Sequence, residues 1–134
     1  MSEGRVYFAL DGDDFDPDEV TKFLGLQPTS ICRKGSKISG KTPRSNSWQL
    51  STENIVENYI DVFELSSKII ARLKPKKALI LQAKEQFNIS PRFEVVLSFS
   101  MDEEQPTPAI GFDVETVQFL GDIGAFIDID TYML

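Results

Sequence analysis

Histidine is absent from this chain of 134 residues. That removes the commonest general base, the Ser-His and Cys-His nucleophile pairs and most zinc sites. One cysteine, Cys32, leaves no partner for an internal disulfide. No apolar run reaches membrane-spanning length, and the opening Met-Ser-Glu-Gly-Arg lacks a signal-peptide profile, so a cytoplasmic setting is expected. Two further absences are positional. No acid occurs between Thr21 and Thr52, where Lys22, Arg33, Lys34, Lys37, Lys41 and Arg44 gather, and no base occurs after Arg92.

The net charge of -7 argues against general nucleic-acid binding, which needs a cationic surface to meet phosphates. An acidic body with one basic segment can instead steer a charged partner, although exposed loops also collect charge because they are solvated. At 41% apolar, the chain has enough hydrophobic material for one domain with its own core, and 1–134 reads as a single unit.

Two distant stretches share a pattern. Glu19 to Gly25 is E-V-T-K-F-L-G and Glu115 to Gly121 is E-T-V-Q-F-L-G, each after an apolar run and an acidic loop. An internal strand-helix-strand duplication around a middle insertion is one reading and chance similarity of two short helices the other. Phe23 and Leu24, like Phe119 and Leu120, are expected to seat a helix on a sheet, with Gly25 and Gly121 able to end it.

Coarse patterning gives the order β-α-β-β-α-α-β-α-β. Arg5 to Leu10 is a buried strand, and Asp16-Pro17-Asp18-Glu19 starts a helix running to about Leu24. Thr29 to Lys34 and Ser47 to Thr52 are short strands joined by a basic loop, Gly35 to Asn46, expected to be the most mobile segment. Asn54-x-x-Glu57 reads as the cap of a helix carrying Val56, Tyr59, Ile60, Phe63, Ile70 and Leu73 until Pro75, and Lys76 to Phe87 as a weaker helix. Strict alternation from Phe93 to Met101 marks a strand, and 102–108 a loop. Val114 to Leu120 is the last helix. Phe126 to Tyr132 is the last strand, with Ile127 and Ile129 inward and Asp128 and Asp130 outward. The expected fold class is α+β: a two-layer α/β sandwich, one mixed sheet of about five strands with helices on one face, and parallel neighbours within each repeated unit.

Several motifs invite chemistry. Gly35 to Thr42, G-S-K-I-S-G-K-T, satisfies the phosphate-cradling pattern G-x-x-x-x-G-K-[ST], but Pro43 and the strand-like Trp48-Gln49-Leu50 follow where a helix must leave. Asp11, Asp13, Asp14, Asp16 and Asp18 suggest a hard cation, yet counting a calcium loop from Asp11 puts Phe15 at a ligand position and Lys22 where glutamate belongs. No metal site and no cofactor is assigned. Cys32 beside Arg33 and Lys34 has either a lowered thiol pKa or a packing role. Trp48 is either a binding platform by the basic loop or a core aromatic.

The opening Y-F-A-L-D-G-D-D-F-D-P-D-E-V-T-K-F-L-G-L-Q-P-T with the following R-K-G, the lone Trp48, and the ending I-G-F-D-V-E-T-V-Q-F-L-G-D-I-G-A-F-I-D-I-D-T-Y resemble the bacterial domain-of-unknown-function 4279 family. The likeness spans nearly the whole chain, with least of it between Thr52 and Ile89. It implies a small stand-alone bacterial α/β domain, transfers no catalytic residue, and points weakly to the toxin and immunity neighbourhoods of related small domains. Three readings stand. The first is a non-enzymatic module binding a protein partner, an immunity-type inhibitor of a cationic protein among the options. The second is an anion or nucleotide binder using Arg33, Lys34, Lys37, Lys41 and Arg44, with Trp48 beside them. The third is a carboxylate-dependent metal enzyme. Strand addition at an edge near Trp48 is one route to a dimer, and the oligomeric state stays open.

Overall fold

The computed structural model describes residues 1–36, 43–100, 102 and 107–134. Its axis is β1 (Ser2–Gly12), whose apolar run Val6 to Leu10 is buried almost without exposure. A strand so apolar needs neighbours on both edges. On one it pairs antiparallel with β5 (Ser90–Phe99), Phe8 opposite Phe93 and Val6 opposite Val95. On the other it meets β3 (Asn46–Ser51), with Leu10 opposite Trp48. The short β2 (Ser30–Cys32) lies outside β3, and β6 (Phe126–Met133) runs parallel to β5. The result is one mixed six-stranded sheet, β2-β3-β1-β5-β6 with β4 also on β1.

The sixth strand is a departure from the sequence reading. Asn54 to Glu57 caps no helix: Ile55–Glu57 forms β4, antiparallel to Ser2–Gly4. The reason is geometric. β1 begins at Ser2, four residues before its apolar run, and β3 covers only Tyr7 to Gly12 of that edge. The chain leaving β3 therefore continues along the same edge, stitched by Thr52 N–H to the Val6 carbonyl at 2.9 Å and by Val6 N–H to Thr52 Oγ1 at 3.1 Å. An unpaired strand edge outcompetes a local capping box, because it satisfies several backbone groups at once. Val56 and Tyr59 are consequently exposed.

The helices follow their caps. Asp16 accepts from Asp18 N–H at 3.0 Å to start α1 (Pro17–Leu24), and Gly25, at φ 68°, closes it in the left-handed conformation. Asp61 caps α2 (Val62–Leu73) through Glu64 N–H at 3.2 Å. Pro75 ends α2 as expected, in a single 3₁₀ turn (Lys74–Lys76) that passes directly into α3 (Lys77–Phe87). Asp113 caps α4 (Val114–Ile123) through Thr116 N–H at 2.7 Å. All four helices lay apolar residues on one face of the sheet: Val20, Leu24, Ile69, Leu73, Ile80, Phe119, Leu120 and Ile123 join Val6, Phe8, Leu10, Trp48, Phe93 and Val95 in a single core.

The two strand-helix-strand units are not built alike. Leu24 and Leu120 are buried in matching fashion. In the second unit β5 and β6 are parallel neighbours, as expected, whereas β3 inserts between β1 and β2 in the first. Gly121 does not end its helix: α4 runs on to bury Ile123, and Gly124 at φ 70° takes the capping role. β5 ends at Phe99, and Met101 lies outside the described residues.

Candidate functional site

The basic segment is partly spent on structure. Arg33 bridges Asp16 at 3.2 Å and Asp18 at 2.8 Å, tying the β2–β3 hairpin to the start of α1. Helix capping by Asp18 N–H and the Arg33 guanidinium together hold the Asp16 carboxyl below the usual range. The Lys34 amide donates to Asn46 Oδ1 at 2.6 Å, and Asn46 Nδ2 donates to the Phe15 carbonyl at 2.8 Å, so the neck of the loop is bolted to the connection between β1 and α1. Arg44 is exposed, and Lys37 and Lys41 lie outside the described residues. The Gly35 amide, which a phosphate cradle requires free, donates to the Pro43 carbonyl at 3.1 Å, and the segment leaves into β3 rather than into a helix. Trp48 is wholly buried in the core with Nε1 donating to Thr21 Oγ1 at 3.0 Å, which leaves no face for stacking a ligand. Cys32 is half-buried at the end of β2.

The sheet's other face holds what sequence reading did not assemble. Residues of β1 that alternate with the core set, Arg5, Tyr7, Ala9 and Asp11, share that face with Ser47 and Gln49 of β3, Arg92 and Glu94 of β5, and Asp128 and Asp130 of β6. A hydrogen-bonded relay crosses it. Ser30 Oγ donates to Gln49 Oε1 at 3.2 Å, Gln49 Nε2 to Ser47 Oγ at 3.2 Å, and Ser47 Oγ to Asp11 Oδ1 at 2.7 Å. Arg92 then takes over, giving Nε to Asp11 Oδ2 at 2.9 Å and one terminal nitrogen to both the Tyr7 hydroxyl (3.0 Å) and Glu94 Oε1 (2.6 Å). The Tyr7 ring lies beneath the guanidiniums of Arg5 and Arg92, 4.8 and 5.4 Å from its centroid. Burial raises the Tyr7 hydroxyl pKa, and the carboxylate of Asp11 raises that of Arg92.

Glu94 ends the relay. It is 2% exposed, a rare state for a carboxylate, and its Oε2 meets no donor. In parallel register it stands beside Asp128, with Asp130 one pleat further, and one oxygen from each of the three lies within 4.8 Å of the others. Burial pushes the Glu94 carboxyl up to about 7; Arg92 opposes the shift, while Asp128, accepting from the protonated acid, and the charge on Asp130 reinforce it. Alternation alone sets Asp128 and Asp130 outward on their own strand and says nothing of Glu94 beside them. Their meeting depended on which strands are neighbours and in what register, which no local pattern encodes.

β6 borders the described sheet. Its single strand neighbour among the described residues is β5, and Phe126, Ile127, Ile129, Tyr132 and Met133 are all more than a third exposed. Ile127 and Ile129 do face the helix layer, in register with Phe93 and Val95, but no helix among the described residues buries them. Next to the strand's start, a depression of about 450 Å³ is lined by Asp11, Asp13, Ser45, Asn88 and Phe126. No helix among the described residues is long and apolar enough to cross a membrane.

Fold and site together define a two-layer α+β domain whose sheet carries helices on one face, a polar face opposite them and, among the described residues, an acidic edge strand with one strand neighbour. The chain belongs to the family of the domain of unknown function DUF4279, whose model matches residues 2–134. No curated protein and no solved structure matches it.

Proposed function

We propose that this protein is a non-enzymatic interaction module that takes up an extended segment of a cationic protein along β6, in the manner of an immunity-type inhibitor masking its target. The observation that carries this reading is an eight-residue edge strand that is apolar, unpaired on its outer side among the described residues, and marked by Asp128 and Asp130. Natural sheets blunt such edges with lysine, proline or bulges. β6 has no lysine and no proline, and its backbone groups are set for strand addition.

Charge selects the occupant. A second copy of β6 pairing with the first would set Asp128 and Asp130 against like charges, which is unfavourable across strands. A segment alternating lysine or arginine with β-branched residues places cations over Asp128 and Asp130, and apolar side chains beside Ile127 and Ile129. The absence of any base after Arg92 leaves this edge free of repulsion toward it. Acidic steering of a cationic partner accelerates encounter and is screened by salt.

The test uses defined peptides and fluorescence anisotropy. A labelled peptide of alternating lysine and valine is expected to bind, to weaken as salt rises, and to protect β6 amides from hydrogen exchange. An alternating glutamate and valine peptide is expected not to bind, and D128K/D130K to reverse the preference. Equal binding of both peptides, or self-association of the protein through β6 in sedimentation, overturns the assignment.

A further inference from the structure

We infer that Glu94, Asp128 and Asp130 form a binding site for a hard divalent cation on the polar face of the sheet. Three independent features meet there. The first is the donor set: three carboxylates and neither histidine nor thiol, which suits calcium or manganese and not the softer metals. The second is the orphaned atom. Glu94 Oε1 is held by Arg92, and Oε2, on a side chain 3% exposed, has no hydrogen-bond donor, so in the ionised acid a buried carboxylate oxygen stands beside Asp128 with no protein group to satisfy it. An unpaired buried charge is costly and persists where something else compensates it.

The third is charge and spacing. Among the described residues of this face, Glu3, Asp11, Glu94, Asp128 and Asp130 outnumber Arg5 and Arg92, an excess of acid that a divalent ion offsets. One oxygen from each of the three carboxylates lies within 4.8 Å of the others, close enough for a single hard cation with oxygen bonds of about 2.1 to 2.5 Å to touch all three. Arg92 stays compatible with the ion because Asp11 already engages it at two points. Asp128 and Asp130 are reachable from solvent and supply the entry path; water completes the coordination.

The inference does not depend on strand addition at β6 and is tested on the bare protein. After EDTA treatment at pH 8, calcium is expected to raise the melting temperature, and terbium to show luminescence sensitised by tyrosine, since Tyr7 adjoins Glu94 across the β1–β5 pair. Calcium should displace the terbium. E94Q and, separately, D130N are expected to weaken calcium binding by about tenfold or more, while D13N/D14N, altering exposed acids elsewhere, leaves it unchanged. No melting shift and no terbium signal up to about 10 mM ion, or equal loss in D13N/D14N, overturns the site. If E94Q fails to fold, D130N decides, because Asp130 is not in the buried relay.

Discussion

Arg92 grips Asp11 at two points, Nε to Oδ2 at 2.9 Å and a terminal nitrogen to Oδ1 at 3.3 Å, although the register sets Arg92 opposite Ala9 and Asp11 opposite Ser90. The contact is diagonal across β1 and β5. It lets the last basic residue of the chain serve Asp11, Tyr7 and Glu94 together, and it makes the polar face depend on one guanidinium.

Arg92→Met is therefore expected to destabilise the fold by about 3 kcal/mol in urea unfolding, since it strips compensation from partly buried Asp11 and buried Glu94. Arg92→Lys restores a charge but not the fork, and should recover less than half of the loss. A change below about 0.5 kcal/mol for Arg92→Met shows that the relay contributes nothing.

Glu94 sets a pH dependence whose sign is unusual for a carboxylate. Its folded pKa of about 7 lies above the ordinary 4.5, so the stabilising contribution of the protonated acid is complete below pH 4.5 and is lost as pH rises through 7. In metal-free protein the loss amounts to roughly 3 kcal/mol at most. Chemical denaturation across that window should show stability falling with pH in the wild type and a flatter profile in Glu94→Gln. The lowered carboxyls of Asp16 and Asp113 act oppositely, losing their contribution only as pH falls below the unfolded value of 3.8.

Trp48 is the chain's one tryptophan, so its emission reports one place. Complete burial against the helix layer predicts a blue-shifted spectrum resistant to acrylamide, red-shifting only on unfolding. Phosphate and nucleotides are expected to leave it unchanged. Trp48→Ala should cost about 4 kcal/mol through the cavity it opens.

The glycines of the second strand-helix-strand unit separate in their response to alanine. Gly121 lies within α4 with open space where a Cβ would sit, so Gly121→Ala is expected to stabilise by about 0.5 to 1 kcal/mol. At Gly124, φ is 70° and a Cβ would fall 2.8 Å from Lys84 Nζ, so Gly124→Ala should lower the melting temperature. Thermal unfolding of the pair checks which glycine caps the helix.

Much of the architecture was legible in the sequence because it rests on local signals. The alternation in β5, the Asp16-Pro17 start of α1 and the stop at Pro75 all describe what a few neighbouring residues do, and the structure agrees. β4 was misread for a related reason. Asn54-x-x-Glu57 is a good cap in isolation, and what competes with it is an edge of β1 some fifty positions away. The basic loop attracted attention through its motif, whereas the groups that come together on the polar face carry no motif.

Sequence alone determined that this chain folds as helices over one sheet, lacks the imidazole chemistry of common catalysts and divides its charges by position, because composition and periodicity act residue by residue. Tertiary structure alone decided that Glu94 is buried beside Asp128, that Arg92 reaches Asp11, and that β6 borders the described sheet with one strand neighbour. Strand order and register set those distances, and they are fixed by the packing of the whole core rather than by any segment within it.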